Sequence, residues 1–451
     1  MPQNLTTTAS PAKEYDALQA DAYTSHLAAA NESCDVVANE DIYNARGVLI
    51  VRKGTPITPQ ITRSIIQFKL VKPIEDSVSL GREINAAQLE TDFIEIMQQD
   101  DVLLSIHEHN NLTDLLQKHC LLYDSYPILR QKITVMADRM PDIYHRTLYC
   151  SWLALLIAKE MRLSEKDINI VFLAALSHDI GMLHIDPNIL SRKSALSPED
   201  WRQVQAHVVI SQKILQSIEN MPAGVALAVV EHHERCDGTG YPVGKVESEL
   251  DFIGQIIGFA DSVIAIYHNR FKPQGRSWRD VIPVIQMNTQ AYLYRNYEVL
   301  VTILRRSELP AKNVVQGDKM PDFVADMIAT NDRLHNWFVS MRDCLMAVGF
   351  THGDRRLHSL QNVMLHVSTS VNGSGLFHEQ HISWLKGLPS TTNKDNYREI
   401  EDIHLMQQEI VFHLQRLTRM TRIYLDSNDC KKPDIQASLM SGMKKAEAFI
   451  F

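Results

Sequence analysis

The chain has 451 residues, 45% of them hydrophobic and 22% charged, which is enough for roughly three domains and typical of a folded, globular polypeptide. Its formal net charge of −9 counts against general affinity for nucleic acid polymers or anionic membranes, since such binding depends on a basic surface. A small anionic ligand held in a local basic pocket remains compatible with that balance.

Taken in chain order, residues 1–30 open with MPQNLTTTASPAKEYDALQA. No basic stretch precedes an apolar one there, so a flexible leader with one short helix near Tyr15 to Leu27 and a cytoplasmic location are expected instead of a secretory signal. From Asp35 to Val78 short β-rich pieces around Val36 and Gly47–Val51 are punctuated by Gly54 and Pro56 and followed by a helical ITRSIIQFKL, which predicts a small α+β module over 31–84. Residues 85–124 are acidic, polar and helix-favouring and read as a helical connector. From 125 to 307 apolar residues recur at helical spacing with almost no strand signal. The longest apolar run, Leu148 to Ala158, is shorter than the 18 or so residues a membrane span requires, so no span is expected. Residues 308–451 read as a C-terminal helical region interrupted by VNGSG and PSTTNKDN. Within it Ile403, Met406, Ile410, His413, Leu417, Met420 and Tyr424 trace a near-heptad stripe, expected to pack on neighbouring helices, with a homodimerisation seam as the alternative. Six cysteines, at 34, 120, 150, 236, 344 and 430, form no CxxC pair, which argues for reduced thiols over a disulfide framework or zinc ribbon.

The chemistry concentrates in residues 125–307. His145, the adjacent pair His178 and Asp179, His207, the adjacent pair His232 and His233, and Asp261 are seven potential metal ligands from five segments. Neighbours on a helix point about 100° apart, so an adjacent pair can serve two metals or bridge them. Asp261 lies on an apolar helix face with Ile257 and Ile264, where a carboxylate needs a cation or a strong donor opposite it. His145, sharing a face with Leu148, Trp152 and Leu156, is expected to point inward, as is His207, in a helix capped at Ser197.

HDIG at 178–181 and HHERCDGTGYP at 232–242 resemble the two signature motifs of the HD-GYP family, and the match extends over roughly 125–275. The resemblance implies a mainly α fold: an HD-domain helical bundle with the α+β module before it and the helical region after it. It implies a metal-dependent phosphodiesterase that hydrolyses cyclic di-GMP to pGpG or GMP. Asp179 would be the bridging ligand, with His178, His145 and Asp261 on one side and His207, His232 and His233 on the other. Gly240, Tyr241 and Pro242 would line the substrate pocket or contact signalling proteins, and Arg270 and Lys272 would contact substrate phosphates. Pro141 stands where three-metal members carry a glutamate, so two divalent transition metals, iron or manganese, are expected. Met182 departs from the family: it replaces a lysine, and a thioether supplies no charge to a phosphate. The alternative reading is a non-catalytic cyclic-dinucleotide receptor or scaffold.

Overall fold

The computed structural model describes residues 15–192, 194, 196–307, 309, 314–387, 396–426 and 432–449. Residues 1–14 of the expected leader, most of the PSTTNKDN loop and Cys430 lie outside these. The fold is mainly α, as expected, and the chain divides into two compact units: residues up to His233 together with Asp251–Asp261, and Glu234–Leu250 together with Ser262 onward. The divide falls inside the segment 125–307 that the sequence suggested as one domain.

In the first unit α1 (Tyr15–Cys34) contains the short helix expected near Tyr15 to Leu27 and runs on past it. Tyr23, Leu27 and Ala30 are buried, and a helix that buries such side chains gains about 1.5–3 kcal/mol for each large one. The small module follows: β1 (Val36–Ala38) pairs with β4 (Val78–Leu80), β2 (Ile42–Tyr43) with β3 (Leu49–Val51), both antiparallel, and α2 (Pro59–Ile66) is capped by Thr58. Residues 85–124 are not a connector. They form α3 (Ala86–Gln98), α4 (Asp101–His109) and α5 (Thr113–Asp124), whose Leu89, Phe93, Ile96, Leu103, Leu116 and Tyr123 are buried. Phe93 packs on Phe172, and the Tyr123 hydroxyl donates to the Ile84 carbonyl at 2.8 Å.

The helices that carry the site are α6 (Pro127–Arg139), α7 (Pro141–Glu160), α8 (Glu165–Ser177), α9 (Pro187–Leu190), α10 (Pro198–Gln205), α11 (His207–Ser217), α12 (Ala223–Glu231) and α13 (Phe252–Ile266). Prolines at the first turn of α6, α7 and α10 suit positions whose N–H has no helical partner, and Ser197 with Asp200 makes a full capping box on α10. On α7 every residue from Thr147 to Ala158 is buried, so this helix is enclosed on all sides.

One cluster ties α1 to the bundle. Lys132 on α6 is fully buried, with its ammonium 3.3 Å from a Glu75 oxygen, 3.1 Å from His184 Nε2 and 3.1 Å from the centre of the Tyr23 ring. Tyr23 in turn stacks on His184 and donates to Gln131 at 2.8 Å. The ammonium keeps a carboxylate and a ring face, as a buried cation must.

The second unit contains α14 (Val281–Gln286), α15 (Tyr294–Arg306), α16 (Met320–Met346), α17 (Arg355–Ser374), α18 (Glu379–Gly387), α19 (Tyr397–Asp426) and α20 (Pro433–Glu447). The near-heptad stripe lies on α19, and its Ile403, Ile410, Leu417 and Tyr424 enter this unit's own core with Trp337, Met341 and Leu360. Among the described residues no helix is long and apolar enough to cross a membrane.

Candidate metal centre

The chain brings Asp179, His207, His232 and His233 together: one ligand atom from each lies within 4.8 Å of the others. His178, Asp179, His207 and His232 are fully buried. His178 and Asp179 end α8, His207 opens α11, and His232 and His233 directly follow α12, so three helix ends converge on one point.

The histidines are oriented by their own backbones. Nδ1 of His178 meets the carbonyl of Ala175 at 2.7 Å, that of His207 the carbonyl of Val204 at 2.7 Å, and that of His232 the carbonyl of Val229 at 2.6 Å. A carbonyl oxygen only accepts, so each Nδ1 carries a proton and the lone pair of each ring sits on Nε2. His178 Nε2 stands 3.3 Å from Asp179 Oδ2 and His207 Nε2 3.3 Å from Asp179 Oδ1. The His178 nitrogen and the Asp179 oxygen Oδ1 are buried without a well-formed hydrogen bond among the described residues. Lone pairs facing one another in a buried site are what a cation satisfies, and the donor set of imidazole and carboxylate suits a divalent transition metal. This cluster fits a metal.

The electrostatics agree. Burial alone would raise the Asp179 carboxyl, but His178 and Arg146 hold it well below the usual carboxylate range. Burial alone would lower His178; Asp179 and Asp261 outweigh it and raise the imidazole's affinity for positive charge. Burial pushes His232 well down, reinforced by the neighbouring His178 and His207, so its imidazole is held neutral.

Two contacts lock the HD turn. Gly181 N–H donates to Ser211 Oγ at 2.8 Å, and that hydroxyl donates to the His178 carbonyl at 2.9 Å. A Cβ on Gly181 would lie 2.2 Å from the His207 carbonyl oxygen, so the HD turn and α11 approach as closely as they do only because this residue is glycine.

His145 requires a correction. Its side chain is exposed, and the next residue, Arg146, turns inward instead. Arg146 forms an ion pair with Asp179 Oδ2, and its Nε lies 3.5 Å from Asp261 Oδ1. One residue on a helix is a 100° rotation, and Arg146 shares its face with Cys150, whose thiol contacts the Ile257 carbonyl at 3.8 Å on α13. Asp261 thus faces a cation across its apolar helix face, although its Oδ1 accepts no hydrogen bond from Arg146 Nε, and His178 Nε2 is 3.9 Å from it. Arginine at this position was not anticipated; a charged residue one place from an expected ligand on an otherwise apolar helix was the available signal.

Residues 130–294 match the family model described as "HD domain". This segment belongs to the HD-domain family. Over 147 residues the chain is 35% identical to a cyclic di-GMP phosphodiesterase of Thermotoga maritima, covering 31% of this chain and 39% of that protein. Another 115-residue match, 36% identical, is to a 3'3'-cGAMP-specific phosphodiesterase of Vibrio cholerae, covering 26% of this chain and 25% of that one. A cyclic di-GMP phosphodiesterase response regulator of Xanthomonas campestris is 32% identical over 129 residues, 28% of this chain and 34% of that protein. The chain thus spans between a quarter and two fifths of the length of these curated relatives.

The remaining predicted residues of the HD domain lie as follows. Met182 is buried, in the 3-10 turn Ile180–His184. Gly240 and Tyr241 are half-buried, Pro242 is exposed, and the Tyr241–Pro242 bond is cis. Glu234, within HHE, organises this loop: its buried carboxylate accepts from the N–H groups of Val243 (2.7 Å), Gly244 (3.0 Å) and Lys245 (3.0 Å). Asp237 accepts from Thr239 through Oδ1 and pairs with His366 Nδ1 at 3.0 Å through Oδ2. Lys272 is exposed. Arg270 is already engaged, donating to Glu409 at 2.7 Å and to Gln408 at 3.1 Å.

Proposed function

We propose that this HD domain is a metal-dependent phosphodiesterase centre acting on a cyclic dinucleotide, with cyclic di-GMP as substrate and pGpG or GMP as product. The observation that carries the reading is the convergence of Asp179, His207, His232 and His233, with the buried histidines' Nδ1 groups tied to backbone carbonyls. The relatives named above are phosphodiesterases of cyclic di-GMP or 3'3'-cGAMP, which supports the substrate class. Iron or manganese is the metal we assign.

When bound, such an ion supplies an activated water and a Lewis-acid contact for a phosphoryl oxygen. The chain's own residues do the rest. Val204 and Val229 carbonyls fix the ring planes of His207 and His232; Ser211 holds the HD turn through Gly181 and His178; Asp179 offers Oδ1 on the histidine side while Arg146 and His178 occupy Oδ2. Arg146, with 35% of its side chain exposed, brings a permanent positive charge to the rim of the centre.

A second reading has a specific basis. Buried Met182 supplies no charge to a phosphate, and Arg270 is paired with Glu409, as would suit a receptor that binds the dinucleotide without cleaving it. Incubating manganese- or iron-loaded protein with cyclic di-GMP and resolving products by chromatography separates the two. Appearance of pGpG or GMP supports the phosphodiesterase, binding without product supports the receptor, and neither binding nor product overturns both.

A further inference from the structure

We propose that Arg146 occupies the place of one of the two expected metals, so that this HD domain holds a single divalent ion on the side of Asp179 Oδ1, His207, His232 and His233. The inference rests on the reading of this cluster as a metal centre and specifies how many ions it takes. Asp179 faces two ways. Its Oδ1 is 3.3 Å from His207 Nε2, within the ligand cluster. Its Oδ2 is ion-paired with the Arg146 guanidinium and lies 3.3 Å from His178 Nε2. The sequence had assigned His145, His178 and Asp261 to that second side. His145 is exposed, and the two carboxylates that remain, Asp179 and Asp261, both face Arg146, whose Nε is 3.5 Å from Asp261 Oδ1.

The substitution is chemically specific. A guanidinium stays charged at any pH a protein tolerates, and its planar donors match carboxylate oxygens. It therefore cannot lose a proton to become a ligand, and a divalent ion placed beside it would meet both a like charge and an Asp179 oxygen already paired with the guanidinium. The guanidinium thus performs the neutralising part of a second metal's role without its capacity to hold and activate water.

The test counts ions in the full chain. Protein stripped with chelator, reloaded with manganese(II) and freed of excess by gel filtration is expected to carry a single ion per chain by elemental analysis. Two ions would overturn the inference while leaving the metal centre intact; no ion would overturn the centre on which it rests. Arg146→His puts a neutral ligand in the guanidinium's place and should admit a second ion, together with a larger manganese-induced rise in melting temperature than the wild type shows. A folded Arg146→His protein that still holds one ion would show that Arg146 does not exclude the second. Arg146→Met, which leaves Asp179 and Asp261 without their cation, should lower the melting temperature of the metal-free protein; an unchanged value would make Arg146 a bystander. Should either variant fail to fold, the wild-type ion count still decides.

Discussion

Gly181 and His207 are in backbone contact so close that a methyl group on the glycine would come within 2.2 Å of the histidine's carbonyl oxygen. The contact sets the distance between the HD turn and the helix that begins with His207. Gly181→Ala must push the two apart or leave strain, at a cost of about 1–3 kcal/mol for overpacking. We expect a lower melting temperature and reduced manganese content from the same variant. Full metal content in Gly181→Ala would mean that the turn yields without moving its ligands.

Met182 is the site at which the chain departs most directly from the chemistry its motifs suggest. Met182→Lys should raise the single-turnover rate of cyclic di-GMP hydrolysis, since a charge-assisted contact to phosphate contributes about 1.5–3 kcal/mol, or about ten- to a hundredfold in rate. Metal content should not change. An equal or lower rate at matched metal loading would show that the pocket is organised around the thioether.

Arg270 is held by Glu409 at 2.7 Å. Glu409→Gln weakens the carboxylate's hold on the guanidinium, freeing Arg270 for a ligand phosphate, and should tighten cyclic di-GMP binding by up to about tenfold, equivalent to about 1.4 kcal/mol. Calorimetric titration of the two proteins reads this directly. An identical dissociation constant would assign Arg270 to the architecture of its unit alone.

Glu234 holds three successive N–H groups of the loop after the GYP residues. Glu234→Gln replaces one accepting oxygen with an amide that cannot accept, leaving at least one of those groups unmatched at about 1–3 kcal/mol. Hydrogen exchange at Val243, Gly244 and Lys245 should accelerate while the amides of α16 keep their protection. Equal rates in both proteins would show the loop to be held by other means.

Acid sensitivity follows from two histidines, one in each unit, His26 buried and His404 half-buried. Burial, aided by Arg139, pushes His26 down to about 4, and burial, aided by Arg276, does the same for His404. Both remain neutral when folded but take up a proton in the unfolded chain below about 6.5. The unfolded state then binds more protons, so stability falls as pH drops from 6.5 towards 4, by about 2–3 kcal/mol for each histidine. His26→Gln should flatten this decline for the first unit, measured as melting temperature against pH; a slope unchanged between pH 6.5 and 4 would remove His26 as its source.

The helical character and the ligand cluster were legible because HD and HHExxDGxGYP fix side chains within a few residues of one another at helix ends, where local sequence determines direction. His145 was not, and α7 explains why. Periodicity identifies an inward face only on a half-buried helix, and from Thr147 to Ala158 this one is buried on every side, so the stripe through Leu148 and the stripe through Cys150 were equally apolar. Residues 85–124 read as a connector because Leu89, Phe93 and Ile96 are sparse among acids and glutamines, although their spacing is that of a helix with one buried face. The pairing of Arg270 with Glu409 joins residues 139 positions apart, and no local pattern announces such a contact.

The aromatic lid that Tyr23 places over Lys132 and His184 makes α1 inseparable from the bundle. A fragment beginning after Ala30 would expose the apolar surface under Leu27 and leave Lys132 with one carboxylate and no ring above it. It would also release His184, two residues from Met182, from its stacking partner. Trimming what resembles a dispensable leader would therefore loosen the turn that directly follows His178 and Asp179.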